Sequence, residues 1–250
     1  PNFPFVGTPF ATWSLAVGDV DSDGDLDIVV GNDGADQLLL NDGRAGFSES
    51  PSFSGFSGGL TAGLAMGDVD GDGDLDVLLS TRSTSSLPED QGSIELHLNI
   101  DGLGTFIRDD NLTSVVIRDR QLLPDGCMPS RTSALILGDV DNDGDLDFIA
   151  LNTWEPDELY LNVNGSGAFV KDNDFDDGDD APATSFSTTA AFADIDADGD
   201  LDLLIGRRNV DNVLLFNDGA GKFITGDENT PTGTQATSAV AFADSDGDGD

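Results

Sequence analysis

The sequence predicts an all-β fold, a β-propeller of four-stranded antiparallel blades, and three observations predict it. One acidic string returns five times: GDVDSDGDLD from Gly18, GDVDGDGDLD from Gly67, GDVDNDGDLD from Gly138, ADIDADGDLD from Ala193 and ADSDGDGD from Ala243. Each complete copy is flanked by short apolar, partly β-branched runs, LAVGD and LDIVVG around the first, which is strand chemistry. The first aspartates of successive copies, Asp19, Asp68, Asp139, Asp194 and Asp244, lie 49, 71, 55 and 50 residues apart. That is the length of a four-stranded blade.

Within each unit the elements follow in a fixed order. An apolar strand A leads into the acidic loop, and strand B (IVVG, VLLS, FIAL, LLIG) leaves it. After a variable turn, a second apolar run ends in Asn (QLLLND, IELHLNI, ELYLNV, VLLFND) and reads as strand C. A glycine turn then leads to a Phe strand D at Phe47, Phe106, Phe169 and Phe223, and Asn-Asp-Gly or Asn-Gly between apolar runs is a strong hairpin signal. On this pattern residues 1–13 end a preceding blade, 14–60 form blade 1, 61–131 blade 2 with an insertion, 132–187 blade 3, 188–236 blade 4, and 237–250 start blade 5. The expectation is an open arc of about four complete blades belonging to a larger propeller.

The acidic loop specifies a cation. Carboxylates at alternate positions around an obligatory glycine let a short loop wrap hard oxygen ligands around one ion. In the first copy Asp19, Asp21, Asp23 and Asp27 occupy positions 1, 3, 5 and 9, Gly24 makes the sharp turn at position 6, and Asp25 at position 7 offers its backbone carbonyl. The other complete copies keep the frame: Asp68, Asp70, Asp72, Asp74 and Asp76; Asp139, Asp141, Asp143, Asp145 and Asp147; Asp194, Asp196, Asp198, Asp200 and Asp202. The fifth loop carries Asp244, Asp246 and Asp248 before the sequence ends. Four carboxylates, a carbonyl and a water match the six to eight oxygens that Ca²⁺ takes, whereas Mg²⁺ keeps several waters. One Ca²⁺ per complete loop, four in all, is the expectation, each held independently because blades contact mainly their neighbours.

An EF-hand also begins D-x-D-x-D-G, but it needs a bidentate Glu at position 12 and flanking helices. Position 12 here is Val30, Leu79, Ala150 or Ile205, inside a strand. The loop is therefore the turn of a metal-binding β-hairpin. At this point the chain resembles the FG-GAP and VCBS repeats, the calcium-bearing propeller blades of integrin α-subunits and many secreted bacterial proteins. The resemblance covers essentially the whole chain and rests on D-x-D-x-D-G-x-x-D; strand A, with Leu-Ala-Val-Gly or Ala-Phe-Ala, departs from a literal Phe-Gly and favours the bacterial type. It implies calcium binding and an extracellular interaction or adhesion role rather than catalysis.

Composition agrees with this reading and excludes others. The formal net charge of −39 comes from 49 acidic and 10 basic residues, and about half of the acidic ones sit in the five loops. Such a charge excludes nucleic acid as a partner. No apolar stretch approaches the ~20 residues of a membrane span, so no membrane insertion is expected. Calcium at the levels such modules require is found outside cells, which points to an extracellular, secreted or cell-surface protein. Gly55-Phe56-Ser57-Gly58-Gly59 matches G-x-S-x-G in form only, since it lies in a glycine- and serine-rich connection with no strand-to-helix elbow. The single histidine, His97, alternates with Glu95 on a strand and is expected on a solvated face. The segment Lys171 to Asp180 reads as a solvated acidic loop.

In a four-stranded meander the A–B and C–D turns share one end of the blade, and the B–C and D–A connections share the other. The acidic loops therefore occupy one face of the propeller and the variable loops the opposite face. Arg82, Trp154, Arg207 and Arg208 fall in variable segments, and an aromatic beside arginines on a rigid scaffold suits partner binding. The expected function is a calcium-binding, non-catalytic module that takes an extracellular protein or glycan. The alternative is a propeller domain of a secreted carbohydrate-active enzyme, or a lectin-like glycan binder.

Overall fold

Sixteen strands form four antiparallel sheets in the computed structural model, which describes residues 11–44, 46–53, 59–82, 92–109, 132–178, 186–226 and 236–243. Blade 1 contains β1 (Thr12–Gly18), β2 (Asp27–Asn32), β3 (Gln37–Asn41) and β4 (Phe47–Glu49). Blade 2 contains β5 (Leu60–Gly67), β6 (Asp76–Arg82), β7 (Ile94–Asn99) and β8 (Phe106–Asp109). Blade 3 contains β9 (Thr132–Gly138), β10 (Asp147–Asn152), β11 (Glu158–Asn162) and β12 (Phe169–Lys171). Blade 4 contains β13 (Phe186–Ala193), β14 (Asp202–Arg208), β15 (Val213–Asn217) and β16 (Phe223–Thr225). In every sheet the strands neighbour one another in chain order, as the repeat requires.

Registers repeat as closely as the sequences do. The acidic loop always closes the same pair, Gly18 against Asp27, Gly67 against Asp76, Gly138 against Asp147 and Ala193 against Asp202. Consecutive first strands pack on one another, β1 on β5, β5 on β9 and β9 on β13, so the A strands line the inner edge of the array.

Three apolar layers, one at each junction between blades, make up the core. Val29, Leu38 and Phe53 of blade 1 meet Leu64, Val77 and Leu79 of blade 2. Leu78, Ile94 and Leu96 of blade 2 meet Phe148, Tyr160 and Phe169 of blade 3, with the Phe148 and Tyr160 rings stacked at 4.6 Å. Ile149, Leu151 and Leu159 of blade 3 meet Leu203, Ile205 and Leu215 of blade 4. A middle blade is thus covered on both faces, and successive residues of one B strand serve opposite junctions: Val77 and Leu79 one way, Leu78 the other. That is why the B strands read as continuous apolar runs rather than alternating ones.

Burial on both faces also corrects the expectation for His97. It lies opposite Val77 in the sheet, on the face that packs against blade 1, and is 5% exposed. Its Nε2 is 3.3 Å from Glu95 Oε2, and Glu95 receives Ser93 Oγ–H and pairs with Arg108 at 3.4 Å. Burial acts to raise the Glu95 pKa, but the bonds from His97 and Ser93 and the charge of Arg108 outweigh it and hold the group below its ordinary value. His97 is a packed member of a junction, not a solvated residue.

A polar contact rivets the junctions of blades 1 and 2, of blades 3 and 4, and of blade 4 with the fifth unit, at the end away from the acidic loops. The B–C turn supplies an acceptor that first closes its own strand: Asn32 N–H donates to Asp36 and Asn152 N–H to Asp157, at 2.8 and 2.6 Å, and Arg207 N–H to Asn212 at 2.9 Å. The second oxygen of each carboxylate, or the same amide oxygen, then accepts a hydroxyl from the first segment of the following unit. Thr61 donates to Asp36 at 2.7 Å, Ser187 to Asp157 at 2.6 Å and Thr237 to Asn212 at 2.8 Å. Thr237 lies in 236–243, so the start of the fifth unit is docked on blade 4 in the same way as the others.

Candidate metal centres

Each acidic loop is wound around the side chain of its first aspartate. Asp19 Oδ2 accepts the N–H of Gly24 at 3.0 Å, and Asp68, Asp139 and Asp194 receive Gly73, Gly144 and Gly199 at 3.0, 3.1 and 3.0 Å. Those glycines have φ of 92°, 94°, 95° and 97°, yet a Cβ there would meet nothing within 4 Å. Backbone conformation, not space, requires glycine at position 6. Position 4 is left-handed as well, at Ser22, Gly71, Asn142 and Ala197, with φ between 58° and 75°. Only the Gly and Asn at this position carried a sequence signal for it.

The ninth-position aspartate, first residue of strand B, is at most 1% exposed in all four blades. One of its oxygens accepts the N–H at position 2 of its own loop, from Val20, Val69, Val140 or Ile195, at 2.9 to 3.0 Å. The other accepts the N–H of the strand C asparagine, Asn41, Asn99, Asn162 or Asn217, at 2.8 to 3.0 Å. This carboxylate therefore ties loop, strand B and strand C together.

Carboxylate oxygens from positions 1, 3 and 9 converge within 4.8 Å of one another in every complete loop: Asp19, Asp21 and Asp27; Asp68, Asp70 and Asp76; Asp139, Asp141 and Asp147; Asp194, Asp196 and Asp202. The position 5 carboxylates lie outside these groups. Asp23, Asp72, Asp143 and Asp198 each accept the N–H two residues on, at 2.9 to 3.0 Å. The position 7 side chains turn away from the cluster, with the carboxylates of Asp25, Asp74, Asp145 and Asp200 lying against Gly43, Gly102, Gly165 and Gly219 of the C–D turn. Acidic loops and C–D turns therefore do share one end of each blade. Asp244, Asp246 and Asp248 lie outside the described residues.

Three carboxylates this close repel unless a cation or protons intervene. The fit of a cation is marked by Asp21 Oδ1 and Asp139 Oδ1, which are buried without a hydrogen-bond partner among the described residues although they belong to these clusters. An all-oxygen donor set of this kind is compatible with calcium. Burial, followed by the charges of neighbouring aspartates, raises the pKa values of Asp21, Asp70, Asp141 and Asp196. Burial pushes Asp76 up to about 7 and Asp147 to about 6, partly offset by the two backbone N–H bonds each receives.

The FG-GAP-like repeat family matches residues 19–79, 139–205 and 194–250, together well over half of the sequence. The chain belongs to the FG-GAP-like repeat family. No curated protein sequence matches it. Forty-seven chains of solved structures do, among them a lectin from Agrocybe aegerita described as recognising non-reducing terminal N-acetylglucosamine. That lectin is 18% identical, covers 87% of this chain and 65% of its own, and superposes with a TM-score of 0.38. The FG-GAP-like chain thus spans about two thirds of the length of that structure.

The partner face assigned from sequence is partly revised by the fold. Arg207 is 3% exposed: it stands where blades 1 and 3 have Asn32 and Asn152, and its guanidinium donates to the Asp177 carbonyl and sits 3.8 Å from the Asp177 carboxylate. It is part of the junction between blades 3 and 4 and unavailable to a ligand. Arg208 is exposed, Arg82 and Trp154 are half-buried, and Trp154 packs edge-on against Phe186 at 5.0 Å. Phe186 in turn pairs with Arg208 across the sheet. Among the described residues no helix is long and apolar enough to cross a membrane. Of the G-x-S-x-G string only Gly59 is described, and Asp179 and Asp180 of the acidic segment also lie outside the described residues.

The raised carboxylates predict how the metal-free protein responds to pH. Asp76, Asp147 and the riveting Asp157, pushed to about 7 by burial, bind protons more tightly folded than unfolded. Their contribution to stability is full below the ordinary carboxylate pKa of ~4 and is lost as pH rises through about 6 to 7. In EDTA the melting temperature should be higher at pH 5 than at pH 8, and added Ca²⁺, which needs ionised carboxylates, should raise it most at pH 8. Thermal melts across that range with and without Ca²⁺ check both signs.

Proposed function

We propose that this FG-GAP-like chain is a calcium-binding, non-catalytic propeller that works outside the cell as an interaction or adhesion module for a protein or glycan. The observation that carries the calcium part is the recurrence of one carboxylate cluster in four hairpins, with buried oxygens left for a cation. Positions 1, 3 and 9 would hold the ion with the position 7 carbonyl and water, and the position 5 carboxylate would join by turning from the position 7 amide it now bonds. The ion would offset repulsion within each loop and fix the turn on which strands A, B and C meet. Extracellular calcium suits such sites, which supports the location.

The partner is assigned to the opposite face, at the junction of blades 3 and 4. Trp154 is the left-handed residue of its B–C turn, with φ of 65°, at the position that Gly34 and Asn209 fill in blades 1 and 4. An aromatic held where blades 1 and 4 use Gly and Asn costs roughly 1 kcal/mol, and such strain tends to be kept at working sites. Trp154 supplies a stacking surface with Arg208 as the cationic group for carboxylate or sulfate, and Arg82 ends the corresponding strand of blade 2.

Two outcomes follow. Millimolar Ca²⁺ should raise the melting temperature strongly, EDTA should reverse this, and Mg²⁺ should substitute poorly; a melting curve indifferent to chelation refutes the calcium reading. Trp154→Gly should keep the calcium-bound melting temperature within a few degrees, because backbone relief of about 1 kcal/mol roughly offsets the lost Phe186 contact of about 0.5–1.5 kcal/mol. On an array of sulfated and uronic-acid glycans, the same variant should lose the signal given by the parent protein, and retained binding removes Trp154 from the partner site.

A further inference from the structure

A line of hydrogen bonds joins the ninth-position aspartates of all four blades. Asp27 Oδ2 holds the N–H of Val20 at 2.9 Å, and the carbonyl of Val20 accepts Asn99 Nδ2–H from the next blade at 2.9 Å. The backbone N–H of Asn99 is held by Asp76 Oδ1 at 2.8 Å, and Asp76 Oδ2 holds Val69 N–H at 3.0 Å. The pattern then repeats: Val69 O to Asn162 Nδ2 at 2.7 Å, Asn162 N to Asp147 at 2.8 Å, Val140 O to Asn217 Nδ2 at 2.7 Å, and Asn217 N to Asp202 at 3.0 Å. The linking asparagines are all but excluded from solvent, at 1%, 2% and 6% exposure.

We infer that Asn99, Asn162 and Asn217 couple neighbouring metal loops, so that a cation bound in one loop strengthens binding in the next. This rests on the calcium reading above. Each asparagine touches two loops through different groups: its side chain reads where the position 2 peptide of the preceding loop lies, and its backbone positions the ninth carboxylate of its own loop. The position 2 residue is fixed at its N–H, one peptide before that carbonyl, by the carboxylate that would hold the preceding ion. Ordering one loop therefore orients the carbonyl that seats the asparagine, and the seated asparagine pre-sets a ligand of the following loop. A binding event that removes part of the ordering cost of the next is positive cooperativity. The loops also meet directly, since Asn142 Nδ2 donates to Asp200 Oδ1 at 2.6 Å across the junction of blades 3 and 4. The asparagines are positioning residues and need not touch the ion.

Site-resolved Ca²⁺ titration tests the coupling. In an isotopically labelled full chain, the amide resonances of Gly73 and Gly144 report loops 2 and 3 separately. Asp70→Asn removes a carboxylate from loop 2 while leaving every bond of the relay chemically intact. It should raise the loop 3 midpoint at least about 5-fold, the lower end of typical coupling between sites. In an Asn162→Ala background the same change should move the loop 3 midpoint less than about 2-fold, because the link from Val69 has been cut. If Asn162→Ala does not fold in saturating Ca²⁺, the same cycle is run with Asp21→Asn and Asn99→Ala between loops 1 and 2, with the same expectation. A loop 3 midpoint unmoved or lowered by Asp70→Asn overturns the coupling, as does a shift that survives loss of the asparagine. If no glycine resonance moves with Ca²⁺, the calcium reading itself fails, which is a different result from four independent isotherms.

Discussion

The buried carboxylate at the ninth loop position is the constraint on which the rest of the structure depends. An ionised group at 0–1% exposure would cost several kcal/mol without compensation. Here both oxygens are used, one by the loop it closes and one by strand C, so the charge is tied into the two hairpins that define a blade. Burial still raises the pKa of Asp76 and Asp147, so backbone bonds offset only part of the cost. On the proposed reading, a cation shared with positions 1 and 3 would supply what remains. The same residue thus accounts for the blade and for the proposed metal dependence.

Between blades the arrangement is close to one-dimensional. The three junctions among the four blades each have an apolar layer and a strand C asparagine at the acidic end, and those of blades 1 and 2 and of blades 3 and 4 also have a hydroxyl-to-turn rivet at the other. A blade bolted at both ends and packed across its middle has little freedom to rotate against its neighbour. That rigidity leaves loop sequence free to vary on the face away from the metal loops, where Trp154 and Arg208 lie on either side of Phe186. The acidic loops carry about half of the acidic residues and are built from turns of nearly constant sequence, which suits a structural role.

Much of this was legible in the sequence because it repeats with a fixed frame. The loop spacing gave the hairpins, the apolar runs gave strands A to D in order, and the Asn-Gly turns placed the C–D connection beside the acidic loop. What escaped were properties of a junction rather than of a strand. His97 and Glu95 alternate as a solvated face would, but a middle blade has no solvated face. Arg207 and Arg208 are adjacent and chemically alike, yet strand alternation and the position equivalent to Asn32 bury the first and expose the second. The strand C asparagine was visible as a hairpin signal, while its hold on the preceding blade depends on a carbonyl 79 or 93 residues away. Position 5 carboxylates follow the sequence rule for a ligand, but their local bonds to the position 7 amide place them outside the convergent group.

Amide hydrogen exchange tests the central claim most directly. The amides held by the ninth-position carboxylates belong to Val20, Val69, Val140 and Ile195 in the loops and to Asn41, Asn99, Asn162 and Asn217 in strand C. In Ca²⁺ at pH 7.5, a condition chosen near the upper titration range, these amides should exchange slowly, and chelation should speed them together before the strand B amides of the apolar layers. Identical protection with and without Ca²⁺ would contradict the account, because the carboxylate would then hold the blade without help from a cation.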